Sequence, residues 1–135
     1  MSQAVQMTEE QQQEWVREQY QVATKYLAER GVVTDSVKVE DSRYLVPLLA
    51  LWKLKALDGK SFWVLCGDLP SDHSDVGVAS DARDALRHFA LKWQMQAEAI
   101  LASDAKEQKS FAQLLISRAE GLYKLYEDEA LWQIK

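Results

Sequence analysis

The residues with the greatest chemical capacity in this chain stand together in Gly67-Asp68-Leu69-Pro70-Ser71-Asp72-His73-Ser74-Asp75, where three carboxylates and an imidazole fall within eight positions. Such a group can hold a divalent cation or polarise a water. Asp68, Asp72 and His73 are therefore the candidate ligands or acid–base groups of a metal- or metabolite-binding protein, or of an enzyme with its site at the 67–75 loop. A zinc or iron centre would gather further His or Cys ligands, and only His88 remains. A calcium loop needs Asp at alternate positions and a Glu at the twelfth, which is not the spacing here. The competing reading is structural, and it is the stronger. Asp68 follows a glycine at a strand end and can bond backbone groups, Pro70 stiffens the turn, and Ser71-Asp72 are ordinary turn formers. No metal, cofactor or catalytic residue is assigned from this stretch.

Three further residues could do chemistry. Cys66 as a nucleophile would need a partly exposed thiolate near positive charge, but it lies among Val64, Leu65 and Asp68. These neighbours disfavour the thiolate and favour a buried, structural cysteine. Arg118 falls within the apolar stripe of the last helix, flanked by Leu115 and Leu122. It must pair with a carboxylate such as Asp68, Asp72 or Glu120, or reach outward; in a pocket it would clamp an anion. His88 lies opposite the stripe of its own helix, where Asp84 four residues earlier is its expected partner. Beside it, Leu91, Met95 and Ala99 form a second apolar strip. A helix apolar on two sides is either sandwiched in a core or presents one side to another chain, and the sandwiched arrangement is expected here. His88, Leu91 and Met95 are the candidate interface.

The elements that must position these residues follow from patterning. Asp58-Gly59 between the apolar runs of residues 50–70 is a strong hairpin signal, placing an antiparallel pair at about 48–66. Residues 43–57 read as one strand in which Pro47 must mark a start, a bulge or an edge. Beyond Pro47, Ala50, Trp52 and Leu54 share one face. Residues 61–66 are apolar on both faces, as in a central strand covered on two sides. Before the hairpin, Thr8 and Gln11 have capping-box spacing and open a helix over about 9–30. Residues 32–42 read as an irregular connection. Residues 67–80 read as a loop in which Val76-Gly77-Val78 could add a third strand. Ser80 is the expected cap of a helix over 81–102, with Ala82, Leu86, Phe89, Trp93, Ala97 and Ile100 inside. Asp104 opens the last helix, with capping-box spacing to Glu107. The tail 131–134 is apolar enough to fold back. The order predicts an α+β fold: an N-terminal helix, a small antiparallel sheet, and two C-terminal helices packed on it.

The 135 residues fit one domain, with residues 1–7 a loose end. Nearly half are apolar (47%), with five Trp, five Tyr and three Phe, so the chain is globular. A net charge of −5 with scattered basic residues argues against a nucleic-acid or membrane-surface partner. One cysteine, no basic-then-apolar leader and no long apolar run point to a cytoplasmic protein.

The segment Trp63-Val64-Leu65-Cys66-Gly67-Asp68-Leu69-Pro70-Ser71-Asp72, with Leu51-Trp52 before it and Ala82-Arg83-Asp84-Ala85-Leu86-Arg87-His88-Phe89 after it, resembles a family of short uncharacterised bacterial proteins. That family is classed only as a domain of unknown function. The resemblance covers nearly the whole chain and implies a small cytoplasmic bacterial protein. It carries no site residue across. With no P-loop, GxGxxG, nucleophile elbow or HExxH, the expected function is a non-catalytic protein-interaction or regulatory module, acting on an unknown protein partner or by self-association.

Overall fold

A computed structural model describes residues 7–133 of the chain. Its polypeptide divides into two compact units, the first ending at Val76 and the second starting at Gly77. The architecture is α+β: an N-terminal helix, a five-stranded antiparallel sheet and two long C-terminal helices.

In the first unit, helix α1 (Glu9–Ala28) opens on the expected capping box. The Gln11 N–H donates to Thr8 Oγ1 at 3.0 Å, and the Thr8 N–H donates to Gln11 Oε1 at 2.9 Å. Two otherwise orphaned donors are thereby satisfied. The strands are β1 (Thr34–Val37), β2 (Arg43–Leu45), β3 (Leu49–Ala56), β4 (Ser61–Gly67) and β5 (Asp72–Asp75). They are ordered β1-β3-β4-β5, with β2 also paired to β3. The β3–β4 hairpin is in the expected place, with Trp52 opposite Val64 and Ala50 opposite Cys66. Its turn has a positive φ only at Gly59 (+92°), so it is not the two-residue turn that needs positive φ at both centres.

Side chains of β3 and β4 alternate as their spacing requires. Ala50, Trp52, Leu54, Val64 and Cys66 join Ala23 and Leu27 of α1 in one buried cluster. The opposite face carries Leu49, Leu51, Trp63 and Leu65, also buried, so β4 is the doubly covered central strand expected. Each fully buried side chain of this size stabilises the fold by about 2 kcal/mol.

Four expectations for the segments between α1 and the next helix need correction. Residues 32–42 are not irregular throughout: Thr34–Val37 pairs with the far end of β3, its register broken between Thr34 and Ser36. The single strand of residues 43–57 is two strands. Val46–Pro47 is a cis peptide, the Leu48 N–H donates to the Leu45 carbonyl at 2.7 Å, and β2 folds back on β3 with Tyr44 opposite Ala50. The extra strand beyond β4 is Asp72–Asp75, whereas Val76–Val78 is a single 3₁₀ turn. Asp, His and Ser are poor strand formers, and pairing with β4 overrides their preference. Finally, Asp81 rather than Ser80 caps the next helix, its carboxylate accepting the Asp84 N–H at 2.8 Å.

The second unit is a helical hairpin. Helix α2 (Ala82–Ala102) buries Ala82, Ala85, Leu86, Phe89, Ala90, Trp93 and Ala97. Helix α3 (Lys109–Glu127) buries Ala112, Leu115, Ala119 and Leu122. It starts later than Asp104, after a 3₁₀ turn at Lys106–Gln108, and has no side-chain cap. A short helix α4 (Glu129–Trp132) is fastened by Arg83. The Arg83 Nε donates to the Tyr126 carbonyl at 2.9 Å and Nη2 lies 3.3 Å from Glu129. Its guanidinium lies 5.9 Å from the Trp132 ring, and the Trp132 indole donates to the Leu125 carbonyl. The tail thus folds back as expected through Trp132; residues 1–6 and 134–135 lie outside the described residues.

Candidate functional site

Of the residues in the 67–75 stretch, the structure brings Asp72 and His73 together with two that sequence spacing did not flag, Tyr26 and Arg30. His73 lies opposite Val64 on the α1 side of the sheet. Its Nδ1 is 2.9 Å from the Tyr26 hydroxyl, and its ring meets Tyr26 and Phe62 edge-on. The Asp72 carboxylate accepts the His73 backbone N–H at 2.8 Å. On α1, one turn after Tyr26, the Arg30 guanidinium lies over the Tyr26 ring at 3.6 Å, and its Nη1 donates to the Tyr26 carbonyl.

Burial is the main cause that pushes the Tyr26 phenol above its usual value of 10.0; the Asp72 carboxylate adds to the rise and Arg30 opposes it. The phenol therefore holds its proton near neutral pH, within hydrogen-bond distance of the His73 ring and under the influence of the Asp72 carboxylate. The arrangement fastens the end of α1 to β5. Asp68 stands apart from it, exposed, with its backbone N–H donating to the Leu48 carbonyl at 2.9 Å. Among the described residues there is no cluster of three or more His, Cys, Asp or Glu side chains able to hold a metal ion.

Cys66 is buried in the α1–sheet cluster, with its thiol 3.5 Å from the Gln19 carbonyl. Burial pushes the thiol up to about 11, the Trp52 indole acting weakly in the other direction. A thiol so held is not a nucleophile near neutral pH. Arg118 is half-buried, and its Nε is covered without a hydrogen-bond partner. Ion pairs join Arg30 to Glu29, Lys53 to Asp41 and Arg83 to Glu129, and none of these involves Arg118, whose expected pairing with Asp68, Asp72 or Glu120 is not among them. Arginine 83, not 118, is the structural arginine of the second unit.

The strip beside His88 departs from expectation most usefully. Leu91 is 40% exposed and Met95 70%, and Ala99 is exposed as well. The outer face of α2 is therefore not sandwiched. The i, i+3, i+4 pattern of its buried residues is already complete with Phe89, Ala90, Trp93 and Ala97 on the other side. Covering Leu91 and Met95 is not needed to seat the helix. His88 is half-buried, with its ring 5.6 Å from Phe89. Asp84, its expected partner, accepts the Ser80 N–H at 3.3 Å.

Fold and surface together define an α+β protein with an acid–base cluster used as a clasp and an apolar helix face left open. The chain belongs to the family described as a domain of unknown function (DUF4826), whose model matches residues 9–132. No curated protein matches the chain, and no solved structure does. No described helix is long and apolar enough to cross a membrane.

Proposed function

We propose that this protein is a non-catalytic interaction or regulatory module of the cytoplasm, docking a protein through the outer face of α2. The observation that carries the reading is the exposure of Leu91 and Met95 on a helix already seated by its opposite face. Large apolar side chains in a row at i, i+4 spacing gain nothing from water and favour association. Methionine suits such a surface because its flexible thioether adapts to a partner. The inert Cys66 thiol and the clasp role of Tyr26 and His73 support a non-catalytic role.

The test compares proteins retained by the immobilised wild-type chain with those retained by a Leu91→Ser/Met95→Ser variant, alongside the mass of each in solution. Loss of the same specific partner, or of self-association, from a variant that still unfolds cooperatively is the expected result. Identical retention and identical mass for both forms would refute the reading.

A further inference from the structure

We propose that the occupant of this face is a second copy of the same chain, packed α2 against α2 in antiparallel fashion about a two-fold axis between Leu91 and Met95. The inference rests on the docking reading above and adds the identity of the partner. Its basis is the order of charges along the exposed face.

In an isologous contact the same patch meets itself, so each residue must be complementary to its own symmetry mate's neighbours. Along the outer face of α2 the sequence runs Asp84, Arg87, His88, Leu91, Met95, Glu98 and Ala102, so that Arg87 and Glu98 flank the apolar pair on opposite sides, while Asp84, farther out, falls opposite Ala102 of the partner subunit under the arrangement below. An antiparallel two-fold centred between residues 91 and 95 seats Leu91 against Met95 of the partner subunit, and Met95 against the partner's Leu91. The same operation brings Glu98 beside the partner's Arg87, and Arg87 beside the partner's Glu98. Both charged residues are exposed, and roughly 16 Å of helix separates them within one chain, so they cannot pair internally. A parallel arrangement would instead set Arg87 against the partner's Arg87 and Glu98 against the partner's Glu98, with like charges opposed at both ends.

The remaining side chains leave this arrangement open. Lys92 and Gln94 lie one position either side of the axis and equally far round the helix, on opposite flanks of the seam, and the Lys92 Nζ lies 5.9 Å from the Phe89 ring of its own helix. Ala99 and Ala102, both exposed, permit close approach of the two helices toward each end. Four apolar anchors make a small interface, so association in the micromolar range is expected rather than a permanent dimer.

The experiment uses charge reversal and mixing, read by sedimentation equilibrium on the full chain. Wild type is expected to shift with concentration from its monomer mass of 15.4 kDa toward twice that value. Arg87→Glu alone and Glu98→Arg alone each place like charges together twice per dimer, and each is expected to stay at the monomer mass. Mixed in equal amounts, the two variants complement one another at both ends, and the doubled mass should return. The double variant R87E/E98R in one chain should dimerise with itself. Either single variant dimerising as wild type does, or the mixture remaining monomeric, would overturn the antiparallel pairing. Wild type staying monomeric up to about 1 mM, far above the range expected of so small a contact, would overturn self-association. A Met95-dependent foreign partner found in the capture comparison would then leave the docking reading standing.

Discussion

Gly67, at the end of β4, is the position where adding one methyl group should cost most for its size. Its φ is +133°, a region that side-chain-bearing residues rarely occupy. A Cβ built there would lie 2.6 Å from the Leu48 carbonyl oxygen and 2.6 Å from Leu49 Cα, both backbone atoms of the paired strand. Leu48 cannot simply withdraw, because its carbonyl accepts the Asp68 N–H at 2.9 Å and Leu49 is in register with Gly67. The conformational penalty is about 1–2 kcal/mol. Moving packed backbone to relieve the overlap adds about 1–3 kcal/mol, so Gly67→Ala should lose about 3 kcal/mol in all. Gly59→Ala is the internal control. That glycine also has positive φ (+92°) but nothing within 4 Å of its would-be Cβ, so only the conformational part, about 1 kcal/mol, applies. Urea unfolding of both variants, followed by Trp fluorescence and circular dichroism, gives the two free energies. If Gly67→Ala costs no more than Gly59→Ala, the close approach of Leu48 and Leu49 is not what holds a glycine there.

Three further outcomes follow from the same contacts. The Cys66 thiol, raised from 9.0 to about 11, is protonated in both folded and unfolded chains near neutral pH and contributes no pH dependence there. As pH climbs from 9 through 11 the unfolded thiol ionises first, so up to about 3 kcal/mol of stability is lost in that window; a Cys66→Ala chain should show a shallower loss in alkaline unfolding titrations. Tyr26→Phe removes the 2.9 Å bond to His73 and should cost about 1 kcal/mol, with nitrogen NMR showing the His73 Nδ1 resonance shifted. Arg83→Ala unfastens α4 from Tyr126 and Glu129, and should cost about 1–2 kcal/mol, with faster amide exchange confined to the residues after Leu125.

What sequence alone conveyed was set by how local each signal is. The Thr8–Gln11 box, the Asp58-Gly59 turn and the inner stripe of α2 depend on neighbours within a few positions, and all three stand where expected. β5 was illegible because Asp72-His73-Ser74-Asp75 has no strand preference of its own; only the partner strand β4 makes it one. The clasp was half legible. His73 and Asp72 are titratable neighbours in sequence, whereas Tyr26 carries no local signal that ties it to them, since 47 positions separate it from the imidazole it meets. Patterning also located the second apolar strip of α2 but could not say whether anything covered it. A helix sandwiched on two sides and a helix open on one have the same periodicity; exposure of Met95 decides between them.

The most direct measurement follows the three methionines, Met1, Met7 and Met95, by methyl NMR of chain labelled at methionine alone. On raising the protein concentration, the Met95 methyl signal should shift and broaden while those of Met1 and Met7 stay in place. Leu91→Ser should abolish the change without altering the dilute spectrum elsewhere. A Met95 signal that is unmoved by concentration and by every protein the chain retains would contradict the claim that this face exists to be covered.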